Sequence, residues 1–449
     1  MKFLLKWWWP SYALMFPMIL LPSASTGFAS DFTFRFLLNL VAIFGGFFLE
    51  LLAHPSAKLS DVRAIPKFLR NHPAVILALL YGTWVFASGF FSSNPERALT
   101  GSSNSMTLLP IGAGGSIWEI SFVFVFILIY LRLLNDVQVR DLVLKSILLS
   151  CSIISVLAIA ETIIKHSIFT GTSNVEGQLP YVTFPGRGHL AGFLCIGLGL
   201  TNYFLNKNKF YQFPAYLICY AIGATQNRSA LVALITILIV LMFSKINIRF
   251  WVAALSLTAF GMGFLLSQEI LYKDQNIVFR TQGDLSSGRS ILWKSAVNGI
   301  IEKPIFGWGG EIFQNHWADY LTKEDLTTFF KLSDYGGGYY RHIGSLFILK
   351  DKNQKLIYRS ISSWYSHNSF LDKSLNYGIF GSLLYLIILI YASRMSWKTG
   401  FAMGTISYQI FLLAWYPIEA AHGSYWSLLA VACIGFRIPV VSGQKKTPE

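Results

Sequence analysis

The sequence predicts an all-α polytopic membrane protein of about 12 transmembrane helices, interrupted by one long, partly helical outer loop. Three observations predict it. Of the 449 residues, 54% are hydrophobic, 16% aromatic and only 13% charged, whereas about a quarter of the residues of a soluble domain are charged. The apolar residues gather into stretches that approach the roughly 20 residues needed to cross a hydrocarbon core. The net charge of +14 lies between these stretches rather than in a basic patch, so it reads as membrane topology and not as a nucleic-acid footprint.

In chain order the spans fall at 7–24, 32–53, 73–93, 115–134, 141–164, 184–204, 211–226, 227–244, 250–268, 367–393, 399–417 and 424–441. Around 211–244 the polar break Thr225-Gln226-Asn227-Arg228 allows two short spans or one bent helix. At the N-terminus, Lys2 and Lys6 precede an apolar run ending in LPSASTGFAS, which has the outline of a secretory signal. Retaining it as a span gives the more consistent charge pattern. Alternate connections then carry Lys58, Arg63, Lys67 and Arg70; Arg132 and Arg140; Lys207 and Lys209; Lys245 and Arg249; Arg394 and Lys398; and Arg437, Lys445 and Lys446. The positive-inside bias places these connections and both termini in the cytoplasm. Three regions result: 1–267 with spans one to nine, 268–366 as a large outer loop with short helices, and 367–449 with the last three spans and a short cytoplasmic tail.

Within the loop, Ile291, Leu292, Ala296, Val297, Ile300 and Ile301 recur near helical spacing, predicting an amphipathic helix over Ser290–Ile301 that Lys303-Pro304 closes. Gly307, Gly309 and Gly310 imply a tight turn. A second helix is expected over Asn315–Lys331, and another turn at Gly336-Gly337-Gly338. The cysteines, Cys151, Cys195, Cys219 and Cys433, all lie in apolar spans and read as small buried hydrophobes.

An arginine or histidine at a membrane boundary needs water, a partner or a ligand, which makes each a functional candidate. Arg228 stands at the outer end of a span, Arg289 just before the amphipathic helix and His367 at the start of the tenth span. Two guanidiniums on one face suit phosphate oxygens, and a neutral imidazole beside them can accept a proton. The plainer readings are a snorkelling anchor, a solvated loop arginine and a satisfied interfacial histidine. Arg187 and His189 share the same outer side, where packing explains them as well as ligand contact does; Arg341 and His342 read as solvated loop residues. His166, His316 and His422 have surroundings typical of surface residues. The loop has no Asp-x-Asp or His-x-x-x-His spacing for a divalent ion, and neither a nucleophile elbow nor a phosphate-cradling Gly-Lys-Ser/Thr loop occurs.

Several of these residues sit in motifs. Ser287-Gly288-Arg289-x-x-x-Trp293-x-x-Ala296 is followed by Pro304-Ile305-Phe306-Gly307-Trp308-Gly309; His367-Asn368-Ser369-x-Leu371 is followed by Gly378 and Gly381; and Thr225-x-x-Arg228-x-Ala230 precedes both. Together they resemble the signature of the O-antigen ligase and O-antigen polymerase superfamily, with Asn227 where serine is usual before the arginine. The resemblance covers Thr225 to Gly381; elsewhere only hydropathy and span count agree. It implies a bacterial inner-membrane enzyme with a periplasmic active site, which takes an undecaprenyl-diphosphate-linked glycan as donor and uses neither metal nor nucleotide cofactor. A ligase passes the glycan to a lipid A-core sugar, and a polymerase to another lipid-linked repeat unit. The family's two essential arginines and its histidine map onto Arg228, Arg289 and His367. Arg187, His189, Asn368 and Arg341 are then candidate substrate contacts, with Arg187 placed for a second phosphate.

A transfer to protein side chains remains open on the same donor chemistry. So does a twelve-span transporter or flippase, for which Arg35, Glu50, Glu119, Lys145 and Glu161 in or beside spans would be the polar groups.

Overall fold

The computed structural model describes residues 1–19, 29–53, 65–101, 114–169, 179–243, 249–271, 289–310, 312–332, 338–344, 346–351, 353–360, 365–397, 400–415 and 418–435. Several sequence expectations lie outside them: the end of the signal-like run at 20–28, the charges Lys58, Arg63, Lys245, Lys398, Arg437, Lys445 and Lys446, the Ser287-Gly288 start of one motif, and Gly336-Gly337.

The first part of the chain forms α1 (Lys2–Met15), α2 (Ala29–Ala53), α3 (Ile65–Asn71), α4 (Pro73–Phe90), α5 (Pro95–Thr100), α6 (Ser116–Asn135), α7 (Val137–Ile164), α8 (Arg187–Leu205), α9 (Gln212–Ala224), α10 (Arg228–Phe243) and α11 (Arg249–Leu271). A small unit follows with α12 (Arg289–Glu302), α13 (Lys323–Leu332) and strands β1 (Gly338–Ile343), β2 (Leu346–Lys350) and β3 (Leu356–Ser360). The chain returns to the bundle with α14 (Ser369–Ser396), α15 (Ala402–Leu412) and α16 (Glu419–Ile434). Among the described residues seven helices are long and apolar enough to cross a membrane: α2, α4, α6, α7, α8, α11 and α14. The helices at the other five expected spans have 11 to 16 residues. The helical polytopic class therefore holds, while twelve full crossings do not follow from helix length. At the ambiguous 211–244 stretch the chain breaks into α9 and α10, turning at Gln226 with φ +50°.

α8 is the centre of the bundle, with 94% of its apolar window buried. Its glycines allow the neighbours in: the α15 backbone at Met403 lies where a Cβ on Gly199 would be, and Cys151 of α7 lies against Gly197. Such small-residue contacts are how helices associate when lipid supplies no hydrophobic drive. α9 and α11 meet the same way, Gly223 against the Phe260 carbonyl and Gly263 against the Tyr220 carbonyl.

Buried polar groups staple this bundle. Arg35 donates to the carbonyls of Ile19 and Thr183, each at 3.1 Å. Glu161 accepts backbone N–H groups from Ile168, Tyr181 and Val182 at 3.0, 3.0 and 2.8 Å, closing the connection after α7. Glu119 of α6 pairs with Lys373 of α14 and accepts from Tyr81 of α4. Glu50 approaches Arg132 at 3.6 Å. Four of the five groups that suggested a transport path therefore hold the bundle together; Lys145 is exposed.

The all-α expectation is corrected between Gly338 and Ser360, where β1, β2 and β3 form an antiparallel sheet in that order, with Tyr339 opposite Leu349 and Phe347 opposite Arg359. The strands are only 5 or 6 residues long. Their aromatic and branched residues suit a pleated surface but are too few to register against helical periodicity. The central strand buries Phe347, Ile348 and Leu349, and Phe347 packs on Trp317 and Phe330 at 5.4 and 5.1 Å. The helix expected over Asn315–Lys331 is also shorter. Two 3₁₀ turns, Phe313–Asn315 and Trp317–Tyr320, precede α13. Thr322 and Asp325 form a reciprocal capping box that starts a new helix there, with N–H contacts of 3.0 and 3.1 Å.

The turn after α12 locks the small unit to the bundle. α14 breaks at Gly378 (φ 70°, ψ 177°), which frees backbone groups that an apolar surround cannot leave unpaired. The turn after α12 pairs them: Trp308 N–H donates to Leu375 O at 2.7 Å, Gly309 N–H to Asn376 O at 3.0 Å, and Ile379 N–H to Pro304 O at 2.8 Å. Ser88 and Ser92 at the end of α4 donate to the carbonyls of Phe306 and Trp308. A Cβ on Gly378 would collide with the Ile305 carbonyl.

Gly378→Ala should therefore lower stability by about 1–3 kcal/mol from backbone strain alone, and by more once the turn is pushed away. Thermal unfolding in detergent checks this against Gly261→Ala, where an added Cβ meets nothing within 4 Å. Equal melting temperatures for the two variants would refute the interlock.

Candidate active site

Three segments that are far apart in sequence converge on Trp415, just after α15. Each is delivered by a helix terminus. Asn227 caps α10, its side-chain oxygen accepting the Ala230 N–H at 3.1 Å, so Arg228 is the first residue of that helix. Arg289 is likewise the first residue of α12, and its guanidinium carbon sits 5.2 Å from the Trp415 ring centroid. The indole face offsets part of the penalty of desolvating a cation. Burial first, and the Arg228 guanidinium second, pull the Arg289 pKa below its ordinary value. Arg228 is thus near enough for its charge to act on Arg289, and its neighbour Ser229 donates to the Ala414 carbonyl, next to Trp415, at 3.4 Å.

His367 approaches Trp415 from another direction, ring centroids 5.4 Å apart in an edge contact. It holds φ +59°, an uncommon backbone for a non-glycine residue. The turn is held on both sides: the Ser366 N–H donates to Asp372 Oδ1 at 2.6 Å, and the Asn368 N–H to Ser366 Oγ at 3.2 Å. Burial, and then the Arg289 charge, push the His367 pKa down to about 4. At neutral pH the ring is uncharged and can accept a proton.

The remaining candidates divide. His189, in the first turn of α8, stands edge-on to Trp415 at 6.1 Å, and the indole lies against Gly188 where no side chain intervenes. Arg187 donates to the Thr225 carbonyl at 3.5 Å, next to the turn that carries Arg228. Both therefore border the cluster. Asn368 caps α14, accepting from Phe370 N–H at 3.0 Å and Leu371 N–H at 3.2 Å. Arg341 is exposed on β1, and among the described residues no contact joins it to Trp415. Its neighbour His342 binds Asp319 at 3.0 Å.

Sequence reasoning missed Trp415 and Asp372. Trp415 follows an apolar span and looks like any interfacial aromatic; its one distinguishing sign was a position on the same side as the three candidates. Asp372 lies one helical turn into α14 and shows its role only through the fold. It also lines a cavity of about 30 Å³ with Trp118, Glu119, Tyr365, Lys373, Asn376 and His422. His422, expected at a surface, is buried and stacks on Phe122 at 5.1 Å. Among the described residues no group of three or more His, Cys, Asp or Glu is arranged to hold a metal ion.

The cluster can therefore bind an anion with two adjacent guanidiniums while presenting an uncharged base to it. A comparison with curated proteins found no match. A family model described as O-antigen ligase matches residues 213–386, a stretch that contains Arg228, Arg289 and His367. That stretch is similar to the O-antigen ligase family.

Proposed function

We propose that the protein catalyses metal-independent, inverting transfer of a glycan from undecaprenyl diphosphate to a sugar of a lipid A-core acceptor, at the periplasmic face of the bacterial inner membrane. The supporting observation is Arg289 and a neutral His367 around one indole, with Arg228 near enough for its charge to act on Arg289.

The acceptor hydroxyl oxygen attacks the anomeric carbon from the face opposite the diphosphate. The bond from that carbon to the phosphate oxygen breaks, and its electron pair leaves with the lipid diphosphate. His367 takes the hydroxyl proton as the new glycosidic bond forms. Negative charge growing on the leaving oxygen is met by Arg228 and Arg289, whose forked donors match phosphate geometry. In a water-poor site such donors act more strongly than in bulk solvent. Arg187, beside the Arg228 turn, is placed to hold the second phosphate. Attack from the opposite face inverts the anomeric configuration.

Purified protein supplied with lipid-linked glycan, lipid A-core, a second lipid-linked unit and a protein acceptor tests the assignment by mass spectrometry of the products. Glycan found only on the lipid A-core supports ligation, and product on another acceptor overturns it in favour of polymerisation or protein glycosylation.

Arg289→Ala should lower kcat by about 10²–10³-fold, as loss of one transition-state donor does elsewhere. Arg289→Lys should recover only part of that, since charge returns without the fork. His367→Ala should lose about 10²–10⁴-fold. EDTA should leave the wild-type rate unchanged, and EDTA sensitivity reversed by a divalent ion would refute the scheme.

The pH dependence follows from the sign of the His367 shift. A base whose pKa is depressed to about 4 stays competent down to that pH, so the acid limb of kcat/KM, which reports the free enzyme, should fall near 4 and well below an ordinary histidine's 6.5. A limb at or above that ordinary value would remove His367 as the base.

A further inference from the structure

α12 has an outward face that changes chemistry along its length. Ser290 and Lys294 occupy its first half, and Val297 and Ile301 its second, all exposed; Ile301 is 70% exposed, and the exposed Glu302 that ends the helix accepts the Tyr320 hydroxyl at 2.6 Å. The opposite face, with Leu292, Ser295, Ala296 and Gly299, is buried, and Leu375 of α14 packs where Gly299 lacks a side chain. Lys294 is tied to Asp325 of α13 at 2.7 Å, on the side of the small unit.

Both ends of α12 are docked onto ends of bundle helices. Arg289 meets Trp415 beyond α15, and the turn that follows α12 is hydrogen-bonded into the break of α14 and onto the end of α4. A helix of 14 residues is about 21 Å long at 1.5 Å per residue, so it runs across the end of the bundle rather than away from it. The two docking points differ in depth. The first lies beside His367, ahead of α14, and the second at Gly378–Ile379, where the apolar part of α14 begins.

The exposed apolar surface at the second point continues that of the membrane-crossing helices. Phe306 stacks on Trp84 at 5.0 Å and touches Phe91 at 4.9 Å, and Trp84 in turn meets Phe380 of α14 at 5.4 Å. Phe380, on α14, and Phe91, the residue that follows α4, are themselves exposed, and both helices are long and apolar enough to span a bilayer. Ile305, beside Phe306 in the chain, is itself 52% exposed.

We propose that the second half of α12 and the turn through Phe306 are inserted among the acyl chains of the adjoining leaflet, as a tilted interfacial helix whose first turn stays at headgroup depth. Lys294 then sits where its ammonium reaches water, and Arg289 is held at the depth of lipid phosphates. Apolar residues on one side and a lysine at the boundary are the features by which such helices lie in an interface. The inference rests on the fold alone and is tested apart from the glycosyl-transfer reading.

Spin labels on Ile301→Cys, Ile305→Cys and Asn353→Cys, in vesicles of phosphatidylethanolamine and phosphatidylglycerol, provide the test. All three positions are exposed, and the four native cysteines are buried, so unmodified protein measures the background. Collision with oxygen, which concentrates in lipid, should exceed collision with a water-soluble nickel chelate several-fold at Ile301 and Ile305, with the reverse at Asn353. The Ile301 label decides. Dominance of the nickel chelate there places the helix in water and overturns the proposal. Protection from both reagents means that protein covers the face, which overturns it equally.

Discussion

The break in α14 at Gly378 is the constraint on which the remaining structure depends. An apolar surround leaves no water to pair the carbonyls of Leu375 and Asn376 once the helix stops there. The Pro304–Gly309 turn pairs them through Trp308 and Gly309 N–H, and takes the Ile379 N–H on Pro304 in return. That turn ends α12, which begins with Arg289, and the helix it repairs follows directly on His367. One backbone interlock therefore fixes the distance between a cation and a base that are 78 positions apart in the chain. The glycines and tryptophan of the motif are structural residues, and on the proposed reading the charged ones carry the chemistry.

The bundle segregates its charges to make that chemistry possible. Of the described buried carboxylates, Glu119 is engaged by Lys373 and Tyr81, Glu161 by three backbone N–H groups and Asp372 by the Ser366 N–H. Each of these contacts joins elements of the fold. Arg289 is placed differently: the charge that acts on it is another guanidinium, and its flat contact is an indole. A site built of like charges is poorly stabilised without an anion, and that poor stability favours binding one.

Much of this was legible in the sequence, for reasons that differ by element. The long spans follow from hydropathy, since bilayer thickness dictates their length. α12 followed from its apolar spacing, and its observed bounds, Arg289–Glu302, lie one residue outside the expected ones at each end. The break between α9 and α10 showed as a polar interruption, though only the fold chose two helices over one bent one. The sheet was illegible because three strands of 5 or 6 residues become stable only by pairing with one another. Trp415 was illegible as a hub because an aromatic at a span's end is expected wherever helices meet an interface. The pairing of Glu119 with Lys373 joins positions 254 apart, which no local pattern encodes. The three residues proposed to react were found because each stood where a charged or polar group needs a reason.

On the proposed reading, the arrangement around Trp415 would also couple donor binding to proton transfer. The Arg289 charge is the second cause, after burial, of the weak basicity of His367. A diphosphate held by the arginines offsets much of that charge, so the ring becomes a better base once the donor is bound. Without the donor, His367 is a poor base and an acceptor hydroxyl or a water molecule keeps its proton. With it, the base strengthens beside the anomeric carbon that is to be attacked. The same electrostatic field would then stabilise the leaving group and keep the base weak until a leaving group is present. This coupling needs no moving part, because it follows from placing a neutral imidazole next to a guanidinium that an anion can neutralise.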